Sequence, residues 1–291
     1  MDQGEEPGES SAQWSQGSGF VCAVLRGVGS VSCWGSSTSG ANIPPPGLTG
    51  VQMISCGMTT CVVLSPGGTV QCWGSNTMGE TNVPAGLAGV TSIDVTSTST
   101  VCAVYGSGGS VKCWGSNSYG KATPPADLPP VNMLGLGYYF SCALLVGGTV
   151  SCWGYTSDVG SNPGLTNVTA ISAGYRHLCA LKIDTTVVCV GSNLSGQRNV
   201  PAGLTGVLAI SAGEFHTCAL TGKGAVVCWG GGMTVPPGLI PAGQQAIQLS
   251  TTSVGYSTCV TLSDSTIRCF GTAYTSDGST AVVTVPLTCP P

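Results

Sequence analysis

The chain has 291 residues, of which only 7% are charged, against about 25% in ordinary soluble proteins, and it is rich in Gly (45) and Pro (18). Gly, Ser, Thr and Asn break every apolar run before the ~18 residues that a membrane-spanning helix needs. Asp2, Glu5, Glu6 and Glu9 account for the net charge of −4, and the remaining acids and bases are scattered, so there is no basic stripe to neutralise phosphates and nucleic acid is excluded as a partner.

Residues 1–17, "MDQGEEPGESSAQWSQG", are acidic and Gly/Ser-rich and read as a flexible tail. They have neither the basic start nor the apolar core of a signal peptide, which fits a truncated reading of the gene, a processed chain or a piece of a larger secreted protein. From residue 18 onward the chain repeats one motif. The fullest copy is "VLAISAGEFHTCALTGKGAVVCWG" (207–230), echoed by "VTAISAGYRHLCALKIDTTVVCVG" (168–191) and "VQMISCGMTTCVVLSPGGTVQCWG" (51–74). Each copy holds three apolar runs of strand character, such as Ala209-Ile210-Ser211-Ala212, Thr217-Cys218-Ala219-Leu220 and Ala225-Val226-Val227-Cys228-Trp229. A Gly-rich turn such as Ser65-Pro66-Gly67-Gly68 joins the second run to the third, a hairpin signal. Seven strand-built units with a period of ~40 residues predict an all-β, seven-bladed β-propeller over residues 18–291.

The ends of the chain bear on how the ring closes. The first unit opens at its second strand, "GFVCAVL" (19–25), while the chain ends in "VVTVPLTCPP" with Leu287-Thr288-Cys289 aligned on Ile54-Ser55-Cys56. The expectation is that the C-terminal strand completes the first blade.

The sixteen cysteines reinforce the repeat. Fourteen fall in pairs 10 or 11 residues apart: Cys22 with Cys33, Cys61 with Cys72, Cys102 with Cys113, Cys142 with Cys152, Cys179 with Cys189, Cys218 with Cys228 and Cys259 with Cys269. None forms the Cys-x-x-Cys pair typical of zinc sites, so no metal or other cofactor is expected. They read as seven bridges between the second and third strands of each blade, which requires an oxidising, extracellular setting. The two remaining cysteines, Cys56 and Cys289, are expected to bridge and lock the ring.

The recurring "ISAG-x-x-H-x-CAL" and "V-x-CWG-x-N" segments resemble the regulator-of-chromosome-condensation repeat superfamily, across residues ~18–291. That superfamily includes a secreted beta-lactamase-inhibitor protein and plant receptor-kinase ectodomains with Cys-bearing repeats. The resemblance implies a seven-bladed propeller that works through its surface. Its secreted, disulfide-rich branch is the nearer likeness, because the units here are ~10 residues shorter than those of the nuclear branch and no basic tail is present.

Trp34, Trp73, Trp114, Trp153 and Trp229 follow the second Cys of their units, where Val190 and Phe270 also stand, so the slot is an apolar packing position between blades. The two histidines, His177 and His216, share their slot with Phe20, Thr59, Thr100, Phe140 and Ser257, which marks a structural position and not a catalytic one. No acid–base pair, nucleophile motif or phosphate loop stands out, and the chain is not expected to be an enzyme. The turn between the first and second strands gathers Tyr138, Tyr139, Tyr175, Arg176, Glu214, Phe215 and Tyr256 on one ring face. Tyr and Arg are favoured at binding hot spots. Asn193 and Asn167 head glycosylation sequons, with Asn193 the more exposed by its loop position.

The sequence therefore predicts a secreted, non-catalytic scaffold that presents a rigid face to a protein or glycan ligand. The alternatives are a self-assembling subunit of a wall, sheath or filament and an intracellular regulatory adaptor of the same repeat family.

Overall fold

The computed structural model describes residues 13–25, 27–251, 257–271 and, for the backbone alone, 283–285. Seven antiparallel sheets follow one another along the chain. Blade 1 is β1 (Trp14–Gln16), β2 (Phe20–Val24) and β3 (Val31–Gly35). Blade 2 is β4 (Val51–Cys56), β5 (Thr59–Leu64) and β6 (Thr69–Gly74). Blade 3 is β7 (Val90–Val95), β8 (Thr100–Tyr105) and β9 (Ser110–Gly115). Blade 4 is β10 (Val131–Leu136), β11 (Phe140–Leu145) and β12 (Val150–Gly154). Blade 5 is β13 (Val168–Ala173), β14 (His177–Lys182) and β15 (Val187–Gly191). Blade 6 is β16 (Val207–Ala212), β17 (Thr217–Thr221) and β18 (Val226–Trp229). Blade 7 is β19 (Ala246–Thr251), β20 (Ser257–Leu262), β21 (Ile267–Gly271) and β22 (Val283–Val285).

Two expectations about the ends are corrected. The inner strand of blade 1 comes from the N-terminal side: Trp14, Ser15 and Gln16 pair with Ala23, Cys22 and Val21. The last described strand, β22, pairs with β21 as a fourth, outer strand of blade 7 and does not complete blade 1. The physical reason lies in Ser15-Gln16-Gly17, which matches Ser172-Ala173-Gly174 and Ser211-Ala212-Gly213 and so carries the inner-strand pattern within the stretch read as tail. Leu287-Thr288-Cys289 lies outside the described residues.

The core lies between blades. Seven apolar clusters each join two neighbours, such as Phe140, Leu144, Ile171 and Leu178 between blades 4 and 5. Val21 and Ala23 pack with Cys259, Ile267 and Cys269, so blade 7 meets blade 1. The Gln16 amide adds a hydrogen bond to Ser257 Oγ at 2.6 Å across the same junction. In six blades the inner strand carries a β-bulge at its second residue, between Val51 and Met53 for example, which sharpens the local twist.

All seven expected bridges form, each inside one blade. Cys22 is bonded to Cys33 in blade 1, Cys61 to Cys72 in blade 2 and Cys102 to Cys113 in blade 3. Cys142 is bonded to Cys152 in blade 4, Cys179 to Cys189 in blade 5, Cys218 to Cys228 in blade 6 and Cys259 to Cys269 in blade 7. The two residues of each bridge stand directly opposite in register on the second and third strands, with Cα atoms 4.0–4.1 Å apart. The Cys56–Cys289 expectation is corrected: Cys56 is a free, buried thiol, and burial pushes its pKa up to about 12. Cys289 is outside the described residues.

Candidate functional site: the axial belt and the tyrosine face

The residue opposite the first Cys of each pair defines the ring axis. These seven positions are Ser15, Ser55, Asp94, Gly135, Ser172, Ser211 and Ser250, each at the same place on an inner strand. The side chains of five of them link blade to blade. Ser15 Oγ accepts from the Cys56 N–H at 3.0 Å and Ser55 Oγ from the Val95 N–H at 3.0 Å. Asp94 Oδ2 accepts from the Leu136 N–H at 2.9 Å. Ser172 Oγ and Ser211 Oγ accept from the Ala212 and Thr251 N–H groups, each at 2.9 Å. Gly135 has no side chain and leaves a gap in this belt. The belt lines an axial cavity of about 170 Å³. Asp94 stands where five other blades carry Ser, and burial pushes its carboxyl up to about 6 against the hydrogen bonds it accepts.

The two histidines occupy the expected structural slot. His177 Nε2 and His216 Nε2 lie 3.0 Å from Thr217 Oγ1 and Thr258 Oγ1 of the next blade, and both rings are fully buried. Gly174 and Gly213 make room for them, since a Cβ would stand 2.4 and 2.2 Å from the His Cε1 atoms. Burial lowers both imidazoles to about 4 and keeps them neutral.

The tryptophan slot is packed between blades, as read from its tolerance of Val and Phe, but it is not purely apolar. The indole N–H groups of Trp73, Trp114, Trp153 and Trp229 donate to the carbonyls of Ala41, Glu80, Lys121 and Gln197 at 2.7–2.9 Å. These four acceptors come from the loop that leaves the preceding blade, so each Trp ties a blade to its neighbour's outgoing loop.

The turns between first and second strands bring the expected aromatic residues together. Tyr138 and Tyr175 have ring centroids 4.4 Å apart, Tyr138 and Tyr139 4.8 Å, Tyr139 and Tyr175 5.1 Å, and Tyr175 and Phe215 5.5 Å. The Tyr139 and Tyr175 hydroxyls lie 3.0 Å apart. That hydrogen bond, with burial and nearby Tyr138 and Glu214, pushes Tyr175 up to about 12. Arg176 Cζ sits 5.8 Å from the Tyr139 centroid while its Nε donates to Asp158 Oδ2 at 2.7 Å. Tyr256 lies outside the described residues.

Two further tyrosines join this cluster from outside the repeated turn. Tyr119 packs edge-on against Tyr139 at 5.0 Å and lies 6.0 Å from Tyr155, which in turn lies 6.0 Å from Tyr139. Both show much of their surface to solvent, Tyr119 at 57% and Tyr155 at 45%. Each departs from its repeat. Tyr155 follows Trp-Gly where other units have Ser36, Ser75 or Ser116, and Tyr119 stands where others have Met78 or Ser195. Tyr119 also holds a left-handed backbone (φ 65°), unfavourable for an aromatic residue. Beneath the cluster Lys121 is buried, its ammonium donating to Tyr138 O at 2.9 Å and to Thr98 Oγ1, and desolvation lowers it to about 8.

Asn193 and Asn167 are both exposed. The Asn193 amide is engaged in its loop, donating to Asn199 Oδ1 at 2.8 Å and accepting from the Arg198 N–H at 2.9 Å. Asn76 and Asn117 do the same in their own loops, so this Asn is a loop-building residue of the repeat.

Residues 168–197 and 207–232, in blades 5 and 6, match the regulator of chromosome condensation (RCC1) repeat. The repeat resemblance is borne out there. No curated protein matches the chain in sequence. Among solved structures, the entire ectodomain of the receptor kinase CR4 from Physcomitrella patens superposes with a TM-score of 0.74 at 27% identity, over 90% of this chain and 73% of that one. The CRINKLY WD40 ectodomain of the Arabidopsis thaliana receptor kinase ACR4 superposes with a TM-score of 0.73 at 24% identity, over 96% of this chain and 98% of that one.

Proposed function

We propose that this chain is a non-catalytic extracellular module that binds a protein or glycan through the aromatic face of its ring. The observation that carries the reading is the continuous patch of Tyr119, Tyr138, Tyr139, Tyr155, Tyr175 and Phe215, drawn from blades 3 to 6. Large aromatic groups with polar tips bury much area at low entropic cost, and Arg176 and Glu214 supply polar contacts at the rim. The frame supports this use. Seven bridges, the indole ties and the axial belt hold the turns fixed, so little ordering remains to be done on binding. The bridges and the likeness to a receptor-kinase ectodomain support an extracellular setting.

The test is a screen of the whole chain against arrays of neutral and acidic glycans and of extracellular protein domains. A hit should be lost in the double variant Tyr175→Ala with Phe215→Ala, while its unfolding midpoint stays near that of the parent. Capture unaltered by the double substitution contradicts the assignment of the face.

A further inference from the structure

We propose that the tyrosine face is also a site of oxidative coupling, at which Tyr138 of blade 4 and Tyr175 of blade 5 join as dityrosine. Five of the six tyrosines among the described residues lie in this one cluster. Tyr119 and Tyr155 are the entry points, because their exposure opens them to a one-electron oxidant in solution. From there each ring contacts the next at 4.8–6.0 Å, through Tyr139 to Tyr138 and Tyr175, so an oxidised site passes inward by electron exchange between neighbouring phenols. Tyr138 and Tyr175 form the closest and least tilted tyrosine pair, 4.4 Å between centroids at 41°, where ring carbons of the two can meet. They sit on turns of adjacent blades whose frames are individually stapled.

The chemistry balances with hydrogen peroxide as the oxidant and a haem peroxidase as its catalyst. Each phenol loses one electron and its hydroxyl proton, and the two radicals form one carbon–carbon bond between positions ortho to the hydroxyls. Each ring then moves the displaced ortho hydrogen, as a proton, to its oxygen and regains aromaticity. The two electrons and two protons released break the peroxide O–O bond and leave as two waters. The product ties blade 4 to blade 5 covalently, whereas every disulfide among the described residues lies within a blade.

The inference does not rest on the binding proposal, since its readout needs no partner. The test treats the full, disulfide-intact chain at dilute concentration with peroxide and peroxidase, then examines the monomer by intact mass, dityrosine fluorescence and peptide mapping. The expected result is a monomer lighter by two hydrogens whose cross-linked peptide joins Tyr138 to Tyr175. That cross-link is lost in both Tyr138→Phe and Tyr175→Phe, and its yield falls in the double variant Tyr119→Phe with Tyr155→Phe, which lacks the entry points. A conservative Phe keeps each ring in place, so fluorescence of the untreated variants checks that they fold. The proposal is overturned if the monomer forms no dityrosine, if the bond joins other tyrosines, or if the chain unfolded in denaturant gives the same cross-link in the same yield.

Discussion

His177 and His216 are the residues whose chemistry most directly reports the packing around them. Both are neutral because burial lowers them from 6.5 to about 4. An unfolded chain takes up protons at these sites near pH 6.5 and the folded chain does not, so stability present above pH 6.5 is lost as the pH falls toward 4. Asp94 acts in the opposite direction. Its folded value of about 6 lies above the ordinary 3.8, so the folded chain takes up this proton first and gains stability as the pH falls through 6. Two sites against one give a net loss of stability between about pH 6.5 and 5. Phe20 and Phe140 fill the same slot, and Thr217 Oγ1 keeps a bond to Gln197 O at 3.1 Å, so the double variant His177→Phe with His216→Phe should fold. Chemical denaturation across that window should then show the slope reversing in the double variant, with Asp94 alone setting the sign. A parent-like slope would mean that the imidazoles are not the groups responsible.

At the scale of the element, the inner strands are joined by the belt around the axis. Ser211→Ala removes the acceptor of the Thr251 N–H and the hydroxyl 2.9 Å from Thr251 Oγ1, and should cost about 1–2 kcal/mol in urea unfolding. Gly135→Ser is the complementary change. It offers the missing hydroxyl to the Ala173 N–H, at a Cβ position 3.3 Å from Ile171 Cδ1, which must shift by a few tenths of an ångström. With the loss of a flexible Gly from the unfolded chain, a gain of about 0.5–1 kcal/mol is expected. A loss would show that Ile171 does not yield.

Most strands were legible because their determinants are local and repeated. Period-two apolar runs and Cys spacing fixed the second and third strands of every blade. The same spacing gave the bridges, because Cys33, Cys72, Cys113, Cys152, Cys189, Cys228 and Cys269 each face the first Cys of their own hairpin. The inner strand of blade 1 is hidden in the sequence because Trp14–Gln16 is too short to show a period and sits beside acidic, Gly-rich sequence, although Ser15-Gln16-Gly17 carries the signal. The bulges depend on pairing across strands and leave no mark in the repeat. The aromatic face was half legible. Tyr138, Tyr139, Tyr175 and Phe215 fill two adjacent positions of one repeated turn and are collected by alignment, whereas Tyr119 and Tyr155 arrive from outer loops of blades 3 and 4 and meet the others only in three dimensions. Their signal is departure from the repeat, at positions where neighbouring units hold Ser or Met.

For the whole molecule, stability is divided among interfaces between blades and staples within them. Each bridge closes a loop with a sequence separation of 10 or 11 residues, so each is worth roughly 2–3 kcal/mol in the chain-entropy description. Reduction of the seven should lower the free energy of unfolding by at least about 5 kcal/mol, read as a fall in the urea midpoint. A midpoint unmoved by reduction would place the stability in the blade interfaces alone.

A non-reducing peptide map of protein from its native source, with free thiols alkylated first, tests most directly both the staple in every blade and the proposed place of the ring outside the cell. The expected map shows the seven within-blade bridges, from Cys22–Cys33 to Cys259–Cys269, with Cys56 unbridged and labelled only once the chain is unfolded. Free thiols at these fourteen positions, or bridges that join different blades, would contradict it.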